Sequence, residues 1–102
     1  MQKIAVIPIS EEGRQIADTL QQEFQASVIK RGEVAKRWHD FDAFIFISAM
    51  GICVRTIAPL IEDKHEDPAV ICVDSMGLHV HSVLTGKGKT TGIIFPFNYS
   101  QR

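Results

Sequence analysis

Positions 43–47 read Ala-Phe-Ile-Phe-Ile, an apolar run with no polar alternation that breaks abruptly at Ser48-Ala49-Met50-Gly51. Successive side chains of a strand point to opposite faces, so a strand that is apolar at every position must be covered on both. A parallel sheet flanked by helices meets that demand. The run therefore predicts a strand over 42–47 in the middle of such a sheet, and it sets the frame into which the rest of the chain has to fit.

Positions 4–9, Ile-Ala-Val-Ile-Pro-Ile, repeat the pattern and predict an opening strand. Ser10 follows as a helix N-cap, with Glu11 and Glu12 in the first turn, where acids complement the helix dipole. Ile16, Ala17, Leu20 and Phe24 then recur at helical spacing. Residues 26–30 predict a second strand, and 32–41 a short polar helix or turn anchored by Trp38. Beyond Gly51, the apolar positions Cys53, Ile57, Leu60 and Ile61 predict a second helix with Arg55 and Glu62 off its apolar stripe. Pro59 cannot donate to the Arg55 carbonyl, so the helix either kinks there or a new turn begins with Pro59 at its first position. A charged loop over 62–68 and a strand over 69–74 follow. The turn signal Ser75-Met76-Gly77 sends the next strand back antiparallel. The predicted fold is α/β: a three-layer α/β/α domain with a mostly parallel sheet and a late β-hairpin.

With 102 residues, 45% hydrophobic and 23% charged, the chain suits one compact soluble domain. Eleven basic residues against twelve acidic ones leave a net charge of -1, so neither nucleic acid nor a membrane is expected as a partner. Cys53 and Cys72 form no CxxC pair and no disulfide framework. The short apolar N-terminus is too brief for a signal peptide or a membrane span, which makes the cytoplasm the expected location.

Open α/β sheets bind ligands beyond the carboxyl ends of their strands. Three such ends can be named: Ser10 to Gly13, Ser48 to Gly51, and Asp74 to Gly77. Small residues at Ser48, Ala49 and Gly51 would let a ligand approach the backbone, and the open amides of a helix start would attract an anion. Arg55 would add a bidentate donor for a carboxylate. The competing account is that small residues at a strand-to-helix turn serve close packing alone. His79 and His81 share a strand face, but spacing supplies no third ligand and no metal site is expected. Gly88-Lys89-Thr90 suggests a phosphate loop, yet Val83 stands where the earlier glycine is required.

Positions 48–77, SAMGICVRTIAPLIEDKHEDPAVICVDSMG, resemble the N-terminal domain of the CbiG family, the cobalt-precorrin-5A hydrolases of anaerobic cobalamin biosynthesis. The pieces MGI, VR, IAPL, DK, DPAV and VD fall in the family's order and register. Similarity continues through HVHSVLTG and ends there. Lys87 stands where the family has a histidine, and the Gly-Gly-Ala-Asn that should follow is absent. The resemblance implies a CbiG-like domain over 1–86 and a divergent tail over 87–102. It implies opening of the ring A lactone of a cobalt-corrinoid intermediate with loss of acetaldehyde, the cobalt belonging to the substrate and no further cofactor being needed. Ser10, Ser48, Ala49, Gly51, Arg55 and Asp74 become the expected substrate-binding residues, with the general base unassigned. Other cobalamin-pathway enzymes, further CbiG domains or a second copy are the partners it suggests. The alternative is a non-catalytic corrinoid-binding or assembly module.

Overall fold

The computed structural model describes residues 3–62, 67–74 and 79–84. Strands β1 (Ile4–Pro8), β2 (Ser27–Val28), β3 (Ala43–Ile47), β4 (Ala69–Val73) and β5 (Val80–Leu84) form one sheet in the order β2-β1-β3-β4-β5. The first four are parallel, with Ile4 level with Ala43 and Ala43 with Ala69 at one edge, and Pro8, Ile47 and Val73 level at the other. β5 returns antiparallel, pairing Val80 with Val73. The apolar run is thus the middle strand, and every residue of β3 is buried.

Helix α1 (Glu11–Phe24) links β1 to β2. Ser10 caps it, its Oγ accepting the Gly13 N–H at 3.2 Å, with Glu11 and Glu12 in the first turn. Its stripe of Ala17 and Leu20, with Ile16 and Phe24 beside them, covers the face made by Val6, Ile45, Ile71 and their strand neighbours two residues away. The opposite face carries Ile7, Phe44, Phe46, Val70 and Cys72. It is covered by Val34, Trp38 and Phe41 and by Cys53 and Ile57 of helix α2 (Met50–Ile57). Helical cover on both sides is what lets β3 do without polar positions.

Trp38 stacks on Phe44 at 5.3 Å between ring centroids, and Phe41 meets Phe44 edge-on at 5.4 Å. The Trp38 Nε1–H donates to Asp67 Oδ1 at 3.2 Å, and the Glu62 N–H donates to Asp67 Oδ2 at 2.9 Å. Asp67, within the expected charged loop, is only 2% exposed and ties the end of the α2 segment to the aromatic cluster. A buried carboxylate is tolerable because its oxygens have donors.

Other differences from expectation have local causes. β2 is a two-residue edge strand, although Ile29 N–H still donates to the Val6 carbonyl at 3.0 Å. Pro59 neither kinks α2 nor opens a turn at its first position; it is the second residue of a 3₁₀ turn over Ala58–Leu60. The chain is extended at Ile61, so this residue leaves the helical stripe and is 45% exposed. The expected turn at 75–77, the basic stretch at 86–92 and the tail at 87–102 lie outside the described residues. Among the described residues, no helix is long and apolar enough to cross a membrane.

Candidate functional site

Because four strands are parallel, their carboxyl ends share one edge of the sheet. Backbone pairing carries one residue past β1 and β3: Ile9 N–H donates to the Ile47 carbonyl at 3.2 Å and Ser48 N–H to the Val73 carbonyl at 2.9 Å. The chain then leaves the sheet at Ser10, at Ala49 and at Asp74, so the topology brings these three strand ends to a common edge.

The Ser48 corner divides into an inner and an outer part. Ser48 is 5% exposed, its amide is used by Val73, and its Oγ–H donates to the Ala49 carbonyl at 2.9 Å. It supports the corner from within. Ala49, Met50 and Gly51 are exposed, and Ala49 caps α2 with no side-chain oxygen. The Ala49 carbonyl accepts from Ile52 N–H at 3.1 Å and from Cys53 N–H at 3.3 Å, so the first-turn amides of Met50 and Gly51 have no side-chain cap. Arg55 Nε–H donates to the Gly51 carbonyl at 3.3 Å, which turns the guanidinium back over that first turn. A cation there opposes the helix dipole rather than complementing it, an arrangement that favours an incoming anion.

Two glycines on this edge have different causes. A Cβ on Gly13 would lie 2.7 Å from Ile47 Cγ2 and 3.4 Å from the Ile47 carbonyl oxygen, so α1 can press on the end of β3 only without a side chain. At Gly51 an added Cβ would meet only Arg55 Nη2, at 3.9 Å, an ordinary contact. Gly13→Ala should therefore lose about 1–3 kcal/mol in urea unfolding through overpacking. Gly51→Ala should gain up to about 1 kcal/mol, because alanine is the better helix former. A stabilised Gly51→Ala chain that binds its ligand less well would show that this glycine serves close approach of a ligand rather than packing.

At the end of β4, Asp74 Oδ2 lies 2.8 Å from His79 Nδ1, and Asp74 N–H donates to the His79 carbonyl at 3.2 Å. His79 is exposed at the sheet edge, and its ring stacks on His81 with centroids 6.4 Å apart. In the sequence Asp74 is legible as a strand end, but His79 is visible only as half of a His-x-His pair. Its partnership with Asp74 comes from the antiparallel register of β5, which spacing does not reveal.

Beneath the corner the Cys72 thiol donates to the Ser48 carbonyl at 3.3 Å. The neighbouring Cys72 thiol, with burial, pushes the Cys53 thiol up, while the same neighbour lowers Cys72. Both are free and buried, Cys53 at 0% and Cys72 at 2% exposure, and belong to the floor of the site.

A groove of about 350 Å³ opens at the carboxyl ends of β1 and β2 between Pro8, Ile9, Val28 and Ile29, with Arg14, Lys30 and Arg31 on its walls. None of these three cations falls in the strand-end segments that spacing picks out. The available signal was Lys30-Arg31 directly after a strand, on the edge where such folds bind. A larger groove of about 630 Å³, lined by Lys3, Ser27, Arg37 and His39 among others, lies at the amino ends of the strands. That edge lacks the converging helix starts, and the smaller groove is the better placed for a ligand.

Residues 33–92 match the family described as cobalamin synthesis G N-terminal. A cobalt-precorrin-5A hydrolase of Salmonella typhimurium is 54% identical over 46 residues, which are 45% of this chain and 13% of that protein. A cobalt-precorrin-5A hydrolase of Priestia megaterium is 31% identical over 104 aligned positions, 80% of this chain and 28% of that protein. This chain thus corresponds to under a third of the length of either relative. A solved structure of a cobalamin biosynthesis protein G homologue from Sulfolobus solfataricus superposes with a TM-score of 0.76 at 24% identity, over 82% of this chain and 29% of that one. At that identity the likeness is one of fold, and it agrees with the mostly parallel α/β sheet. Since the family match spans more than half of the chain, the protein belongs to the cobalamin synthesis G N-terminal family.

Proposed function

We propose that this chain acts in the cytoplasm as the N-terminal domain of a cobalt-precorrin-5A hydrolase, binding a cobalt corrinoid and taking part in opening its ring A lactone with release of acetaldehyde. The observation that carries this reading is the Asp74–His79 pair, 2.8 Å apart, on the same sheet edge as the uncapped start of α2. Lactone hydrolysis needs a base for water, a stabiliser for the oxyanion and a grip on the substrate's carboxylates.

In this reading, His79 gives its Nδ1–H to Asp74 and presents Nε2 to a water molecule. The base takes one proton as the water oxygen bonds to the lactone carbonyl carbon. The carbonyl oxygen becomes an oxyanion and is met by the Met50 and Gly51 amides. Collapse re-forms the carbonyl and breaks the bond to the ring oxygen, which recovers the proton from the imidazolium and is left as a hydroxyl on the two-carbon fragment. Loss of that hydroxyl's proton to a base then forms the acetaldehyde carbonyl as the carbon–carbon bond to the macrocycle breaks, the electron pair staying on the macrocycle, which takes up a proton. Arg55 holds a peripheral carboxylate beside the first turn of α2. The cobalt enters with the substrate. The remaining domains of such an enzyme, other cobalamin-pathway enzymes or a second copy are the partners that this role implies.

The test is acetaldehyde release from cobalt-precorrin-5A by this chain, alone and with the other domains of a longer relative supplied separately. Release that depends on this chain supports the reading, and its absence in both arms contradicts it. Corrinoid binding without release would instead favour a non-catalytic corrinoid-binding module.

A further inference from the structure

Arg14 of α1, Lys30 after β2 and Arg31 at the start of the 3₁₀ turn Arg31–Glu33 line one groove. No acidic residue lines that groove, and among the described residues none of the three cations is in an ion pair. This concentration of charge stands on a chain whose net charge is -1. Arg31 is also held in place. Its Nε–H donates to Thr56 Oγ1 at 2.6 Å, and the Thr56 hydroxyl donates to the Ile52 carbonyl at 2.7 Å, so the guanidinium is anchored to α2 before any ligand arrives. Pre-positioning of this kind lowers the ordering cost of binding.

The acids on the same segments are accounted for. Glu33 Oε1 accepts the Lys30 N–H at 2.9 Å, while Glu11 and Glu12 occupy the first turn of α1. Those two acids also argue about the kind of anion. A compact phosphate would seek the amides at the start of α1, but Ser10 Oγ already takes the Gly13 N–H, and Glu11 and Glu12 would repel a dianion. In the loop before α1, the Ile9 N–H is already given to the Ile47 carbonyl at 3.2 Å. What remains is an apolar floor of Ile9, Val28 and Ile29 with separated cations around it. That suits several single negative charges spread over an apolar frame.

We propose that the groove between the carboxyl ends of β1 and β2 binds a polycarboxylate, with Arg14, Lys30 and Arg31 each facing a different carboxylate. The inference extends the preceding reading by giving a second grip, away from Arg55, to a ligand that spans the sheet edge. Strands lie about 4.8 Å apart, so the edge from β2 to β4 is roughly 14 Å wide, suited to a broad ligand held at both sides.

The experiment is a calorimetric titration of the full chain with propane-1,2,3-tricarboxylate and, separately, with inorganic phosphate. It is run at about 0.01 M ionic strength, where screening is weak, and again at about 0.15 M. The expected result is tricarboxylate binding that exceeds phosphate binding, weakens with salt, and falls about tenfold or more in the double variant Arg14→Gln/Lys30→Gln. Thr56→Val, which releases Arg31 while leaving all three charges in place, should weaken binding by a smaller factor. Phosphate binding as tight as tricarboxylate, no change in the double variant, or no binding at about 10 mM ligand would each overturn the proposal. Tricarboxylate binding at the groove by a chain that supports no lactone opening keeps this inference and removes the earlier one. Lactone opening with no effect of the double variant on either ligand does the reverse.

Discussion

Replacing His79 with Gln is expected to slow lactone opening by about 10²–10³-fold while leaving the thermal midpoint within about 3 °C of the unsubstituted chain. The size follows from the usual contribution of a positioned general base. The unchanged stability follows from exposure, since the ring is at the surface and its hydrogen-bond partner Asp74 is 37% exposed. Glutamine retains a donor for Asp74 but cannot take a proton from water. Asp74→Asn acts one step removed, by releasing the ring from its orientation, and should lower kcat more than it raises KM. A His79→Gln chain that keeps its rate would assign the base elsewhere.

Phe44→Ala is expected to cost about 3–5 kcal/mol in urea unfolding, the range for truncating a fully buried aromatic. Phe44 is 0% exposed at the centre of the middle strand, with Trp38 stacked on it at 5.3 Å and Phe41 edge-on at 5.4 Å. Its loss leaves a cavity and removes two ring contacts, each worth about 0.5–1.5 kcal/mol beyond area burial. A domain of this size has a total stability of about 5–15 kcal/mol, so the variant should be partly unfolded under mild conditions. Phe44→Leu, which refills much of the volume, should lose less than half as much. A loss below about 1 kcal/mol for Phe44→Ala would mean that the second face of the sheet is not packed as described.

Much of the fold was legible because burial on both faces leaves a strong mark in a sequence. The unbroken apolar run of β3, the Ser10 cap and the stripe of Ala17 and Leu20 each report a local demand that only one arrangement satisfies. The order β2-β1-β3-β4-β5 is not local, and the features that depended on it were hidden. Asp67 reads as one more acid in a charged stretch, and only the approach of Trp38 from 29 residues away makes it a buried acceptor. The pairing of Asp74 with His79 needs the hairpin register, and the meeting of Arg14 with Lys30 and Arg31 needs α1 and the segment after β2 to converge.

The candidate site shows the same division. The segments at Ser10, Ser48 and Asp74 could be chosen from strand ends alone, and parallel pairing carries all three to one edge. The sequence could not tell which side chains face outward. Ser48 turned inward and Gly51 outward because the first residue past β3 continues the sheet, its amide still donating to Val73, and only the next begins the departure to α2.

The most direct measurement of the account is an absorbance titration of a cobalt corrinoid carrying its peripheral carboxylates into this chain and into Arg55→Ala. A charge-assisted hydrogen bond contributes about 1.5–3 kcal/mol, so the account predicts a loss of affinity of about tenfold or more, with far-ultraviolet circular dichroism unchanged. Equal affinity in the two chains would contradict it, returning Arg55 to the solvated surface and the start of α2 to a purely structural role.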